Sequence, residues 1–88
     1  KATHEARGCD SESTPFRVHA SPPSSRTYWG DLHSHTAFSD GRGLPAEMYD
    51  FARRVAALDF CAVTDHAFTV TDQMWEQSRE TTNRLNTP

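Results

Sequence analysis

Two strand-like segments separated by one amphipathic helix pattern constrain the fold of this 88-residue chain most strongly. Residues 28–35 have the pattern of a strand. Residues 60–64 form a short, nearly all-apolar run, typical of a strand buried on both faces of a parallel sheet. Because the connection between them is short and helical, the two strands are expected to pair in parallel as a right-handed βαβ unit. The sequence therefore predicts an α/β fold.

The connecting helix is predicted over residues 45–58, beginning at Pro45, where the missing N–H of proline costs no hydrogen bond. Its apolar residues recur at spacings of three and four, so they form one stripe that is expected to pack across the two strands. The stripe consists of Leu44, Met48, Phe51, Val55 and Leu58. A second helix is predicted to begin after Thr71, a good N-cap residue, and to continue to about residue 85.

Residues 1–27 differ in composition from the rest of the chain. They are rich in serine and proline, and Phe16 and Val18 are their main apolar side chains. Such a segment cannot bury enough surface to offset the entropy of ordering. We therefore expect a disordered segment or linker over 1–27 and one small α/β region with a thin core over 28–88.

Composition and charge argue against two classes of partner. A net charge of −3 offers no basic surface for nucleic acid. No apolar run approaches the ~18 residues that span a membrane. Cys9 lies in the polar segment and Cys61 in an apolar run, so a disulfide between them is not expected. The cysteines therefore leave the cellular compartment open.

Four side chains with metal-binding chemistry lie at or near the ends of the two predicted strands. Alternate side chains of a strand share a face, so His33 and His35 are expected to point the same way, ~7 Å apart along the backbone. Asp40 lies in the following loop, and His66 follows the second strand. Since the carboxyl ends of parallel strands meet at one edge, all four are expected to converge. Imidazoles with a carboxylate suit Zn, Mn or Fe better than Ca or Mg.

Other residues are candidates for supporting roles. Asp31 and Asp65 are expected either to accept the distal N–H of a ligand histidine, which fixes its tautomer, or to hydrogen-bond neighbouring groups. Arg42, in the loop, is a candidate contact for an anionic substrate or else a solvated arginine. Three aromatic side chains are expected to pack in a core, and the alternative is an aromatic wall for substrate. They are Tyr49, Phe68 and Trp75.

The order and spacing of three motifs resemble the PHP superfamily, named for a domain shared by bacterial replicative polymerases and histidinol phosphatase. The motifs are Asp-Leu-His-Ser-His-Thr at 31–36, Ser-Asp-Gly at 39–41 and Thr-Asp-His at 64–66. The resemblance covers residues 28–88 and is closest to a little-characterised PHP-like family of metal-dependent hydrolases. It implies the first βαβα portion of a distorted (β/α)7 barrel, so the chain is expected to be an N-terminal fragment of such a domain.

The resemblance also implies a chemistry, namely hydrolysis of a small-molecule phosphoester by water activated at a two- or three-metal cluster. His33 and His35 would serve one metal, while Asp40 and His66 would help to hold another. Such clusters use further Glu, His and Asp ligands whose motifs this chain lacks, so the chain alone is expected to be inactive. Two alternatives stay open. One is a catalytically inactive metal-binding or accessory module, and the other is an amidohydrolase-type enzyme acting on C–N bonds, against which the Thr-Asp-His motif argues.

Overall fold

The structure, a computed structural model, describes residues 2–4, 9–12 and 15–87. Its elements in chain order are β1 (Ala2–His4), β2 (Cys9–Ser11), β3 (Gly30–Ser34), α1 (Pro45–Arg54), β4 (Phe60–Val63) and α2 (Asp72–Leu85). β3 and β4 pair in parallel, and α1 lies on the connection between them. The predicted order of strand, helix, strand and helix, and the parallel pairing, are thus confirmed.

The segment predicted to be a disordered region or linker contains one short pairing. β1 and β2 form an antiparallel pair in which Ala2 lies opposite Ser11 and His4 opposite Cys9. Backbone ladder hydrogen bonds need no apolar core, so a polar segment can form them locally. Residues 15–29 are all exposed, and they therefore add nothing to the core.

Hydrogen bonds close both ends of the β3–β4 pair. At the entry, the Asp59 N–H donates to the Trp29 carbonyl at 2.7 Å, and the Trp29 N–H donates to the Asp59 carboxylate at 2.8 Å. At the exit, the Thr64 N–H donates to the Ser34 carbonyl at 2.7 Å. The register is irregular between Asp31 and Ser34, where β3 has one residue more than β4. A bulge of this kind changes the direction of the side chains beside it.

Local chemistry explains where α1 begins and ends. The Glu47 carboxylate accepts the Leu44 N–H at 2.6 Å and so satisfies one free donor at the helix start. The helix ends at Arg54 rather than at the predicted residue 58. The reason is that Ala57 has a positive φ of 52°, and a left-handed residue at this point turns the chain away from the helix axis.

α1 packs through a different face from the one that the sequence predicts. Pro45 and Ala52 are buried, and the helix contacts both β4 and α2. Phe51 and Val55 were expected to pack across the strands, and this expectation was wrong, since they are 58% and 68% exposed. α1 is rotated so that Pro45 and Ala52, two turns apart on one face, meet its neighbours. Met48 lies at the border of this face and is half-buried.

Polar contacts join the two helices. α2 begins after Thr71 as predicted, and the Thr71 hydroxyl accepts a backbone N–H of the first turn at 3.2 Å. The hydroxyl oxygens of Tyr49 and Thr82 lie 2.8 Å apart. The Arg53 guanidinium donates to the Leu85 carbonyl at 3.1 Å. This contact places a cation at the C-terminal end of α2, where the helix dipole favours positive charge.

The core of the described residues is small. Phe38 and Ala52 are its buried hydrophobic side chains, together with Pro45, and Thr36 and Thr81 are buried polar side chains. Phe38 follows β3 by a few residues, so this part of the core lies beneath the carboxyl edge of the sheet. Within the described ranges, neither α1 nor α2 has the length and apolar character that crossing a lipid bilayer requires.

Candidate metal centre

Three side chains meet at the edge of the sheet where β3 and β4 end. His35 directly follows β3, Asp40 lies in the turn after it, and His66 lies shortly after β4. Parallel pairing brings the ends of both strands to one edge, so residues about thirty positions apart in the chain become neighbours. One ligand atom from each of the three lies within 4.8 Å of those of the other two. We call these three residues the His35–Asp40–His66 group.

Asp40 lies between the two imidazoles of this group. Its Oδ1 atom is 2.6 Å from His35 Nδ1, and its Oδ2 atom is 3.5 Å from His66 Nε2. The two imidazole centroids are 4.5 Å apart, and the rings are inclined by 61°. The side chain of His35 is 20% exposed, whereas those of His66 and Asp40 are 44% and 65% exposed. The group is therefore accessible from solvent.

The spacing of the donor atoms fits a small divalent cation. Zn–N and Zn–O bonds of about 2.1 Å in a tetrahedral site separate neighbouring ligand atoms by about 3.4 Å. The 3.5 Å distance between Asp40 Oδ2 and His66 Nε2 is already close to this value. The hydrogen-bonded atoms of His35 and Asp40 would have to move apart by roughly 0.8 Å, which a side-chain rotation of the exposed Asp40 can supply. Two imidazoles and one carboxylate are ligands that Zn, Mn and Fe accept.

The carboxylate of the group is stabilised in its ionised form. The hydrogen bond with His35 lowers the pKa of Asp40 from its ordinary value. A metal ligand must be deprotonated to bind. Asp40 is therefore in the ionised form that a cation requires.

His33 lies beside the group and is not a member of it. Its ring centroid is 5.1 Å from that of His35, with the rings inclined by 49°. The two histidines thus lie on the same side of the sheet edge, as expected from alternate positions on a strand. His33 is exposed, so solvent can reach its side chain.

The Asp65 carboxylate accepts hydrogen bonds from the loop that contains Asp40. Within the part of the chain that the structure describes, it does not accept one from a histidine ring. This carboxylate accepts the backbone N–H of Thr36 at 2.7 Å and the hydroxyl of Thr36 at 2.6 Å, and it also accepts the hydroxyl of Ser39. Burial raises the pKa of the Asp65 carboxyl, but the hydrogen bonds from Ser39 and Thr36 outweigh burial and lower the pKa. Of the two roles considered for Asp65, hydrogen bonding to neighbouring groups is the one present.

Thr36 and Ser39 were not singled out from the sequence. Their signal was available, because both are hydroxyl residues inside the motifs that contain the candidate ligands. Hydroxyl side chains close to a motif aspartate are natural donors to it. Their role is to connect the loop after β3 to the residue that precedes His66.

Asp31 and Arg42 lie apart from this network. The Asp31 carboxylate accepts the backbone N–H of His33 at 2.8 Å, so it orders the strand backbone beside the candidate ligand. This contact is again a hydrogen bond to a neighbouring group rather than to an imidazole. Arg42 is an exposed residue of the loop. Among the described residues, Arg42 makes no ion pair with the His35–Asp40–His66 group.

A glycine allows the loop to lie directly on the strand end. The Gly41 N–H donates to the Thr36 carbonyl at 2.9 Å. A Cβ atom at Gly41 would overlap the backbone carbonyl of His35. The close approach of these two backbone segments brings Asp40, the residue before Gly41, next to the imidazole of His35.

The three aromatic candidates take different positions. Phe68 is 85% exposed, and its ring stacks on His66 with centroids 5.2 Å apart and an angle of 28° between the ring planes. Trp75 is 60% exposed and lines an open groove of about 570 Å³ between β4 and α2, together with the half-buried Tyr49. Packing in a core, which was the first expectation, therefore does not describe Phe68 or Trp75. Phe68 is the aromatic residue that contacts the group.

Comparison of the chain with protein-family models, with curated proteins and with solved structures gave no match.

Proposed function

We propose that this chain forms one side of the catalytic centre of a metal-dependent hydrolase. The observation that supports this proposal best is the convergence of His35, Asp40 and His66 from two strand ends, with their ligand atoms within 4.8 Å of one another. The proposed ion is Zn, Mn or Fe, because two imidazoles with one carboxylate match those ions. His33, 5.1 Å from His35 between ring centroids, is the proposed ligand of a neighbouring ion.

The proposed substrate is a small-molecule phosphoester. The resemblance of the three motifs to the PHP superfamily supports this class, and so does the chemistry of the ligands. When bound, divalent ions lower the pKa of coordinated water and stabilise negative charge on phosphoryl oxygens. Asp40 supplies anionic charge that holds the cation, and the two imidazoles hold it without neutralising it further. Asp65 keeps the loop in place through Thr36 and Ser39.

A second candidate function is a metal-binding or accessory module without turnover. The compact group among the described residues has three members, and this number suffices for one ion. A cluster of two or three ions needs more metal ligands than His33 and the three residues of the His35–Asp40–His66 group. Residues 1–88 by themselves are therefore expected to bind metal without hydrolysing substrate under either candidate function.

The first experiment measures metal binding by the 88-residue chain. Zn²⁺ and Mn²⁺ are titrated in competition with a chromophoric chelator, and the variants His35→Ala, Asp40→Ala and His66→Ala are compared with the unchanged chain. Each variant is expected to lose at least about 100-fold in affinity, since it removes a direct ligand rather than an outer partner. His19→Ala is the matched control, because His19 is an exposed histidine of the N-terminal segment. Equal affinity in all variants would refute the metal site.

The second experiment separates the two functions. A longer protein that contains this sequence is assayed with an aryl phosphate, with and without a chelator. Saturable, chelator-sensitive turnover that His33→Ala reduces by several orders of magnitude supports the hydrolase. Stoichiometric metal binding without hydrolysis of any phosphoester tried supports the accessory module.

A further inference from the structure

Phe68 is the most exposed large hydrophobic side chain of the described residues, at 85%. Single exposed apolar residues are ordinary on protein surfaces, so exposure alone carries no argument. The position of Phe68 is more informative. One face of its ring stacks on the imidazole of His66, which belongs to the candidate metal centre. The geometry, with centroids 5.2 Å apart, lies in the favourable range for aromatic pairs.

The turn that contains Phe68 is attached to the core. The Thr69 hydroxyl lies 3.0 Å from the Phe38 carbonyl and 2.9 Å from the His66 carbonyl, and the Thr69 N–H also donates to His66 at 3.1 Å. Phe38 is itself buried. The backbone on both sides of Phe68 is therefore held in place, and an aromatic ring has few rotatable bonds to immobilise. A surface of this kind loses little entropy when a ligand covers it.

We propose that Phe68 is a specificity residue, whose exposed ring edge contacts a planar apolar group of the substrate beside the His35–Asp40–His66 group. The inference rests on the proposed function and names its substrate class, an aryl or similarly planar ester of an anionic group. The anionic end meets the cation held by the group, and the planar end packs against the edge of the Phe68 ring, which His66 does not cover. A substrate with a small aliphatic group in place of the planar one lacks this contact.

The inference is tested by ligand binding rather than by turnover. Phenylphosphonate and methylphosphonate have the same anionic group, are not hydrolysed at the P–C bond, and differ in the planar part. Each is titrated into the Zn²⁺-loaded chain, and affinities are taken from NMR chemical-shift changes. The unchanged chain is expected to prefer phenylphosphonate by about two- to tenfold, the range that one aromatic pair contributes.

Three variants and one control isolate the aromatic ring. Phe68→Leu keeps bulk and apolarity but removes the flat ring, and Phe68→Ala removes both, so the preference is expected to fall to roughly onefold in each. Phe68→Tyr keeps the ring and is expected to keep the preference. Phe51→Ala is the matched control, since Phe51 is an exposed phenylalanine of α1.

A metal-free readout tests the stacking itself. The ring current of Phe68 displaces the NMR signals of the His66 ring protons, and Phe68→Leu is expected to remove this displacement. Unchanged His66 signals in that variant would overturn the inference.

Zn²⁺ binding is measured first in the same samples, so that two failures can be distinguished. If the unchanged chain does not bind Zn²⁺, the proposed function fails and this inference fails with it. If Zn²⁺ binds but the two phosphonates bind equally, or if Phe68→Leu retains the preference, the inference alone is overturned.

Discussion

Asp65 and Thr36 are joined by two hydrogen bonds, with the Asp65 carboxylate accepting the Thr36 backbone N–H at 2.7 Å and the Thr36 hydroxyl at 2.6 Å. Thr36 is fully buried and follows His35, while Asp65 precedes His66. The pair therefore connects the residues next to two candidate ligands across the ends of β3 and β4.

Replacing the charged acceptor of this pair should destabilise the chain. Asp65→Asn keeps the shape of the side chain but loses the charge and puts a donor near the donors of Thr36 and Ser39. We expect a loss of about 1–3 kcal/mol in the free energy of unfolding, the usual result of leaving buried donors without acceptors. Urea denaturation of the metal-free chain, followed by circular dichroism, measures it. Asp50→Asn is the control, because it breaks the exposed ion pair of Asp50 with Arg54 at 2.7 Å. It should change the free energy of unfolding by less than about 1 kcal/mol. An equal loss of stability in the two variants would contradict the role of Asp65.

Adding a methyl group at Gly41 should weaken metal binding without unfolding the helices. The new Cβ atom would overlap the carbonyl of His35, so the loop must move and take Asp40 with it. Affinity for Zn²⁺ is expected to fall about 10- to 100-fold in Gly41→Ala, the loss typical when a residue that orients a ligand is changed. Ala37→Ser is the control, because Ala37 is an exposed residue of the same loop. Undiminished affinity in Gly41→Ala would show that the loop position does not matter.

Relieving the left-handed residue after α1 should stabilise the chain. Ala57 has a φ of 52°, a conformation that costs an L-residue with a Cβ roughly 1–2 kcal/mol. Ala57→Gly is therefore expected to raise the free energy of unfolding by about 1 kcal/mol, after the entropy that glycine adds to the unfolded chain is subtracted. The control is the neighbouring change Ala56→Gly, which adds the same entropy to the unfolded chain but relieves no left-handed residue. A stabilising effect of similar size in both variants would contradict the argument.

The thiol of Cys61 should react slowly near neutral pH. Burial raises the pKa of Cys61, and the negative charge of Asp31 raises it further. Only the thiolate reacts with iodoacetamide, so the rate should rise with pH along a curve whose midpoint lies above that of an unstructured cysteine. Measurement uses a Cys9→Ser background, which leaves one thiol. Asp31→Asn should move the midpoint of this curve to lower pH, and unfolding in urea should do the same. A midpoint that neither change affects would refute burial and Asp31 as the causes of the raised pKa of Cys61.

The isolated chain should be only marginally stable. Phe38, Pro45 and Ala52 are its main buried apolar residues, and several large apolar side chains are exposed. A core of this size leaves little surplus over the entropy of ordering. We expect the metal-free chain to melt below about 60 °C in a scan followed by circular dichroism. A cooperative transition above that temperature would contradict the small core.

Features that depend on neighbours in the chain could be predicted from the sequence. Pro45 and Thr71 marked the starts of both helices, and Phe60–Val63 was recognisable as a strand. Its predicted burial on both faces was wrong, since Phe60 is exposed and the other three residues are only half-buried. The edge at which His35 and His66 meet followed from the same information, because parallel strands joined by a helix always end together. The end of α1 was not predictable in this way, since it depends on the backbone angle at Ala57.

Only the tertiary structure decided the contacts between residues that lie far apart in the sequence. Asp65 has its hydrogen-bond partner Thr36 at a separation of 29 residues, and a motif cannot tell whether that carboxylate faces a loop or an imidazole. The helical period likewise predicted an apolar stripe on α1, but the helix packs against β4 and α2 with Ala52 buried and Phe51 exposed. Periodicity specifies which residues share a helix face. It does not specify which neighbouring element covers that face, or the exact distance between two side chains. Those are properties of the packed structure, and they decide here which side chains lie at the candidate metal centre.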